Sequence, residues 1–285
     1  MILVTGANGH LGSQTIEFLL DQKQADNIAG LVRSREKGAE LREKGIETRI
    51  GDYTDYDSIR EAVTGIDVVL LISSSTIEGR VAQHNNVIKA ADEAGVQQLF
   101  YTSMVQADKE LSPMAEDHAK TEKALKDSGL AYSIFRHTFY TEFLPLFWGN
   151  ALESGQWAFP SEGQKINLAY RTEMAEALAN AVANPKAHRN EIYEITSAQT
   201  YTLEELAGML SEASGKEISY HDVSVSEFEQ RLHEIGLPDE QIAMSVMTAR
   251  SFVNGALNFT YDHLEQLLDR KPTDARTFIN NFVDA

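Results

Sequence analysis

Short apolar runs recur along the first half of the chain, separated by longer stretches in which apolar positions fall every three or four residues. The runs at 2–5, 28–32, 46–50, 68–72, 99–102 and 132–135 read as strands, and 11–21, 35–44, 56–64, 81–94 and 115–128 carry the helical period. Strands that are apolar on both faces, joined by helices, imply a parallel sheet covered on both sides. Right-handed crossovers then make the sheet doubly wound. Gly45, Gly65, Gly95 and Gly129 each stand between a helix and the next strand, where a helix ends in a left-handed residue. After about Glu153 the rhythm loosens. Ser154-Gly155 and Pro160-Ser161-Glu162-Gly163 mark turns. Helices are expected at 172–183, 203–214, 226–234, around 239–253 and at 261–268, with short strands at 192–195 and 218–221. The expectation is an α/β chain: a doubly wound domain over 1–153 and a smaller α+β lobe over 154–285, some of whose sheet elements return to the first domain. Neither an internal repeat nor a low-complexity tract interrupts this plan.

Composition narrows the function classes. The chain has 285 residues, 43 acids, 25 bases and a formal net charge of −18. A field of that sign repels phosphates, so nucleic acid is not an expected partner. The absence of cysteine excludes a disulfide scaffold, a thiolate zinc site and a cysteine nucleophile. The longest apolar run, 68–72, is strand-sized and far below the ~18–20 residues a membrane helix needs. No charged leader precedes the first strand. The expected location is cytoplasmic.

Thr5-Gly6-Ala7-Asn8-Gly9-His10-Leu11-Gly12 follows the first strand and opens the first helix. In this setting each glycine has a task. Gly6 permits the tight strand exit, Gly9 lets backbone approach a pyrophosphate, and Gly12 lets the helix pack close to the sheet. The helix N-terminus offers unpaired N–H groups to the phosphates. The strand–turn–helix context makes this a dinucleotide-binding turn and the domain Rossmann-like. An acid at the end of the second strand would favour NAD. Here the strand ends Val32-Arg33-Ser34-Arg35, so Arg33 is placed to clamp a 2′-phosphate, with Arg35 or Lys37 adding charge. Residues 23–49 hold seven bases against five acids within an acidic chain. The expected coenzyme is therefore NADPH. Asp52, after the third strand, is placed either to meet the adenine amino group or to start the next turn.

With Val32-Arg33, Gly51-Asp52-Tyr53, Leu70-Leu71-Ile72-Ser73-Ser74-Ser75, Gln83-His84-Asn85-Asn86, Phe100-Tyr101-Thr102-Ser103, His118 with Thr121-Glu122, and Tyr140-Thr141-Glu142 added to the glycine turn, the chain resembles the short-chain dehydrogenase/reductase superfamily. Within it the similarity is to the atypical NmrA-like branch, which contains NADPH-dependent quinone oxidoreductases and triphenylmethane reductases. The resemblance implies that Gly6, Ala7, Asn8, Gly9, His10 and Leu11 cradle the pyrophosphate, that Arg33 binds the 2′-phosphate, and that Ser73, Ser74 and Ser75 line the ribose. It implies that His137, Thr138, Phe139, Tyr140, Thr141 and Glu142 border the nicotinamide and that Arg171 closes over the coenzyme. His137 departs from the asparagine this family often carries there, which bears on acceptor choice.

The Tyr-x-x-x-Lys acid of better-known relatives is missing: Glu116 stands where the tyrosine would be, four residues before Lys120. Reduction of an ordinary ketone yields a strongly basic alkoxide and needs such an acid, whereas a quinone yields a weakly basic phenolate. The resemblance and the missing acid together imply an NADPH-dependent oxidoreductase passing hydride to a quinone or quinone-like aromatic acceptor. The alternatives are a non-catalytic NmrA-like sensor of NADP(H) and a dye reductase. Ser103 is expected to line the site, and His118, Thr121 and Glu122 to form a structural polar cluster on one helix face. That cluster has too few ligands for a metal, and none is expected. Phe135, Phe139, Tyr140, Phe143, Phe147, Trp148, Trp157 and Phe159 are candidates for an aromatic acceptor wall, with Tyr140, Phe143 and His137 as pocket candidates; the spacing of Phe139, Phe143 and Phe147 also suits one face of a core helix. Met244 and Met247 face the same choice between pocket and core. A homodimer is the candidate assembly, on which the sequence is silent.

Overall fold

Ile2, Leu3 and Val4 offer solvent nothing polar, and all three are buried in the first strand. The same holds for most of the apolar runs that follow, which is why they end up side by side in the middle of a sheet. The computed structural model describes residues 1–22, 27–109 and 111–284; Lys23 and Asp26 of the basic segment lie outside them. The chain runs β1 (Ile2–Val4), α1 (His10–Asp21), β2 (Ile28–Val32), α2 (Ala39–Glu43), β3 (Glu47–Ile50), α3 (Tyr56–Ala62), β4 (Val68–Leu71), α4 (Arg80–Glu93), β5 (Gln98–Met104), α5 (Ala115–Asp127) and β6 (Ala131–His137). It continues through β7 (Phe139–Tyr140), α6 (Leu144–Trp148), α7 (Ala151–Ser154), β8 (Gln156–Ala158), β9 (Ile166–Ala169), α8 (Arg171–Ala183), β10 (Glu191–Ile195), β11 (Thr200–Tyr201) and α9 (Leu203–Ser214). The last elements are β12 (Ser219–His221), α10 (Val225–Glu234), α11 (Asp239–Val253), α12 (His263–Leu268) and α13 (Ala275–Asp284).

Two compact units divide these elements. The first comprises residues 1–104, 117–137 and 172–193; the second comprises 105–116, 138–171 and 194–285. The first is built on a seven-stranded parallel sheet in the order β10-β6-β5-β4-β1-β2-β3. After β3 the chain crosses back to β4 on the other side of β1, so the strand order reverses there. The carboxyl ends of β1 and its neighbours thus flank a crevice that no crossover covers. β1, β2, β4 and β5 are buried throughout, while β3, at the edge, exposes Glu47 and Ile50. Charge on an edge strand discourages pairing with another chain. The fold class expected from the sequence is the one observed.

The differences are local. The helix expected over 35–44 breaks into a 3-10 turn at Glu36–Gly38 followed by α2. Gly38 lies so close to the neighbouring strand that an added Cβ would stand 2.9 Å from Thr48 Cγ2. α12 starts at His263, two residues later than expected, and the Tyr261 N–H before it donates to Thr196 Oγ1 at 2.8 Å.

The second unit holds two small sheets, β11-β9-β7 and β12-β8, around an aromatic core of Phe147, Trp157, Phe159 and Phe252. Its two- to four-residue strands are too short to display an alternation, and the sequence pattern missed β7, β8, β9 and β11. It also missed α13, although Asp274 accepts the Thr277 N–H at 2.9 Å, as an N-cap does. Phe139, Phe143 and Phe147 do not share a helix face: they lie on β7, on a 3-10 turn and on α6. Phe135 belongs to the first unit, buried in the sheet against Phe100 and Tyr193.

Candidate coenzyme site

Gly6 leaves β1 at φ +58°, a conformation that a Cβ disfavours. The turn then folds back on itself, with the Gly9 N–H donating to the Gly6 carbonyl at 2.8 Å. Gly9 caps the twelve-residue α1 without any side-chain hydrogen bond, leaving the first-turn N–H groups to an anion. An added Cβ on Gly12 would lie 2.3 Å from the Gly6 oxygen and 3.2 Å from Ala7 Cα. Gly12 therefore serves the closure of the turn itself; the sequence reading had assigned it to packing against the sheet. Gly30, on β2, was not singled out, yet its missing Cβ gives room to Ala7, 3.1 Å away.

The turn forms one wall of a groove of about 390 Å³ at the carboxyl ends of β1 to β4. Of the residues expected to contact a coenzyme, Gly6, Ala7, Asn8, Gly9, Arg33, Asp52, Ser73, Ser74 and Ser75 line it. The sequence did not select Leu31, Val32, Tyr53, Thr54, Ile72, Thr76 or Gln83, which line it too. Leu31 and Val32 close β2, Tyr53 and Thr54 follow β3, Ile72 and Thr76 follow β4, and Gln83 comes from the first turns of α4. His10 is exposed at the start of α1 and Leu11 is buried at 6% exposure; neither is part of the lining, and Leu11 can contribute only backbone.

Hydrogen bonds set the groove's shape. Asn8 Nδ2 donates to the Lys37 carbonyl at 2.6 Å, tying the glycine turn to the segment after Arg33. Arg33 is itself exposed where it lines the groove. Beneath the turn, Thr5 Oγ1 donates to the Leu70 carbonyl and accepts from the Ile72 N–H, while the Tyr53 hydroxyl bonds Thr5 Oγ1 and the Ile72 carbonyl. Asp52 Oδ1 accepts from both the N–H and the hydroxyl of Thr54, at 2.9 and 2.7 Å. Those bonds, with Arg33 contributing less, hold its carboxyl below the usual range. Asp52 thus starts a turn and lines the groove at once.

Ser103 does not line the groove. Its Oγ donates to Glu122 Oε1 at 2.6 Å, and the same carboxylate takes Arg136 Nε and Nη2 at 2.8 and 2.7 Å. This ion pair is buried, and Ser103 is committed to it. His118 Nδ1 bonds the Tyr101 hydroxyl at 2.8 Å, and Thr121 bonds the His84 ring at 3.0 Å. The three polar residues of α5 therefore form the structural network expected of them. His137 ends β6 at 6% exposure, and burial pushes its pKa down to about 3, which keeps the imidazole neutral.

In the second unit, the Arg171 guanidinium carbon lies 5.2 Å from the centre of the Tyr140 ring. The Arg171 N–H donates to both oxygens of Glu142 at 3.2 Å. Burial pushes the Tyr140 phenol up to about 12. Phe143 packs on Tyr140 at 5.4 Å and on Phe139 at 6.4 Å between ring centres. Thr138 and Thr141 are buried, with Thr138 Oγ1 donating to the Asn167 carbonyl. Met244 is 39% exposed and Met247 half-buried on α11.

A model described as the NmrA-like family matches residues 1–280. The chain belongs to the NmrA-like family. Quinone oxidoreductase 2 of Escherichia coli (strain K12) is 36% identical over 267 residues, covering 94% of this chain and 92% of that protein. The structure of an NADPH-dependent quinone oxidoreductase from Escherichia coli, complexed with NADPH, superposes with a TM-score of 0.95 at 34% identity, over 99% of each chain. Triphenylmethane reductase of Citrobacter sp., complexed with NADP(H), gives 0.93 at 32% identity over 99% of this chain and 100% of that one. No helix among the described residues of this NmrA-like protein is long and apolar enough to cross a membrane.

Proposed function

We propose that this NmrA-like chain is an NADPH-dependent oxidoreductase whose acceptor is a quinone or a quinone-like aromatic. The single observation that carries the reading is the groove itself, with a glycine turn on one wall, in which Gly6 holds a positive φ and Gly12 has no room for a Cβ, and an exposed arginine where an NAD site would carry an acid. That groove fits a phosphorylated dinucleotide. Gly6 to Gly9 hold the pyrophosphate against the N-terminus of α1, Arg33 holds the 2′-phosphate, and Ser73 to Ser75 hold the ribose side. Asp52 binds near the adenine, over the apolar floor of Leu31 and Val32. The roles of His10 and Leu11 as backbone donors, and of His137, Thr138, Phe139, Tyr140, Thr141, Glu142 and Arg171 on the nicotinamide side, are part of the proposal. NADPH, when bound, supplies hydride.

The protein's own task is then to orient and to exclude water. Neither Ser103 nor Tyr140 is primed to donate a proton: Ser103 is committed to Glu122, and the Tyr140 phenol is held up by burial. A quinone suits such a site, because the phenolate it becomes is stable enough to take its proton from solvent. The similarity to proteins named for quinone and for triphenylmethane dye reduction supports an aromatic acceptor. A soluble small molecule, with no nucleic acid, is the expected partner.

The test is turnover. Purified protein with NADPH should bleach the dihydronicotinamide absorbance on addition of benzoquinones, naphthoquinones or phenanthrenequinone, with triphenylmethane dyes and simple ketones in parallel. Ketones should give no rate. Tight NADPH binding with no turnover of any acceptor would replace this reading with a coenzyme sensor.

A further inference from the structure

We propose that His84 is a positioning residue for the coenzyme groove, holding the Ser74 amide and through it the serine loop that forms one wall. The inference rests on reading the groove as a dinucleotide site. Residues 73–76 leave β4 without secondary structure and are tied down from below. The Ser73 N–H donates to Thr102 Oγ1 at 2.9 Å, and the Ser74 N–H donates to His84 Nε2 at 2.9 Å. Arg80 Nε donates to the carbonyls of Ser74 and Thr76 at 3.2 and 3.0 Å. β5 and α4 thus hold, from inside the protein, a loop whose other side faces the groove.

The direction of these bonds fixes the state of the imidazole. A backbone N–H can only donate, so Nε2 must accept and the ring proton must sit on Nδ1. Nδ1 then donates to Thr121 Oγ1 at 3.0 Å, and that hydroxyl donates onward to the Asp117 carbonyl at 2.8 Å. Every donor in the chain has one acceptor, and no member can reverse without stranding a buried group. The ring is fully buried, edge-on to Tyr53 and Tyr101 at 6.3 and 5.3 Å between centres. Burial, with the Arg80 charge adding to it, pushes its pKa down to about 3. An apolar residue would fill the same space; what it would not provide is an acceptor for the Ser74 amide.

Two near-isosteres separate those contributions. In His84→Gln the amide oxygen reaches the place of Nε2 and can accept from Ser74. In His84→Asn the shorter amide can still donate to Thr121 but leaves Ser74 without an acceptor. Calorimetric titration of the full chain with NADPH should show His84→Asn binding about tenfold more weakly and His84→Gln within about threefold of the parent, as loss of one buried hydrogen bond implies. In steady-state kinetics with a quinone the loss should fall on KM for NADPH rather than on kcat. Equal affinities for both variants and the parent would overturn the proposal, as would equal losses tracking equal drops in Tm. Should His84→Asn fail to fold, nitrogen NMR of the parent decides: an Nδ1-protonated ring whose Nε2 resonance moves with NADPH supports the assignment, and an Nε2-protonated ring overturns it. A parent protein that does not bind NADPH at all fails the coenzyme reading first and takes this inference with it.

Discussion

The glycine turn after β1 and the aromatic cluster after β6 are built from opposite materials. The turn is backbone on backbone. Its carbonyls and amides touch one another, and an added Cβ at Gly12 would meet the Gly6 oxygen at 2.3 Å. The cluster is side chain on side chain, with Phe143 tilted on Tyr140, Phe147 stacked on Phe139 and edge-on to Phe252, Phe143 reaching 36% exposure and Leu146 reaching 74%. A backbone cradle has a single solution, whereas a packed aromatic surface tolerates exchange of one ring for another at modest cost. Under the proposed reading, the contrast accounts for two proteins that are each about one-third identical to this chain and were solved with NADPH or NADP(H), yet carry names for different acceptors, a quinone in one and triphenylmethane in the other. It also says where substitutions should hurt most.

The largest effect is expected at Gly12. Ala is a better helix former than Gly, so on propensity alone Gly12→Ala should stabilise α1. The contact with the Gly6 carbonyl decides the sign the other way, because it involves backbone that has no alternative position. We expect a loss of roughly 3 kcal/mol in urea unfolding, as overpacking of a rigid site costs, and no measurable NADPH binding. A neutral result would break the contrast outright.

Arg33 comes next. It is exposed and holds up no neighbouring structure, so Arg33→Ala should leave Tm nearly unchanged. Its contact with a 2′-phosphate would be charge-assisted, and losing such a contact should lower the preference for NADPH over NADH roughly ten- to hundredfold. The ratio of kcat/KM for the two coenzymes measures this. An unchanged ratio would remove the phosphate clamp from the proposal while leaving the turn intact.

What could be read from the sequence follows the same division. Gly6, Gly9 and Gly12 were legible because a backbone demand can be met by one residue type, and the strands of the main sheet because burial on both faces writes them as unbroken apolar runs. Arg33 was legible as a departure from an expected acid. Tyr53 and Gln83 stood only within segments that carry the resemblance, and Thr76 in none, since side chains that reach a groove from a loop or the next helix leave no spacing behind. His84 was legible only as part of a resemblance; its bond to Ser74 joins α4 to a loop ten residues earlier, a relation that no periodicity encodes. Phe139, Phe143 and Phe147 had helical spacing by coincidence, and the two-residue β7 took the first of them. Leu11 was drawn into the site by its neighbours in the motif, although its side chain belongs to the core.

The smallest effect, and the one that sharpens the contrast most, is expected at Phe143. Its ring is more exposed than those of Phe147 and Phe159 and packs on Tyr140 and Phe139. Phe143→Leu removes an aromatic face but keeps most of the apolar volume, so the expected cost to stability is below about 1.5 kcal/mol. Coenzyme affinity should stay within about twofold, because no coenzyme phosphate or ribose depends on a ring. Acceptor ranking should shift: loss of a stacking face worth about 1 kcal/mol lowers kcat/KM for a flat polycyclic quinone by roughly fivefold relative to a small benzoquinone. Steady-state kinetics with phenanthrenequinone and benzoquinone side by side reads that ratio. If both acceptors fall together, Phe143 supports the fold of the aromatic cluster and does not face the acceptor. If neither moves while NADPH affinity drops, the ring serves the coenzyme, and the division between a backbone-built coenzyme site and a side-chain-built acceptor site is drawn in the wrong place.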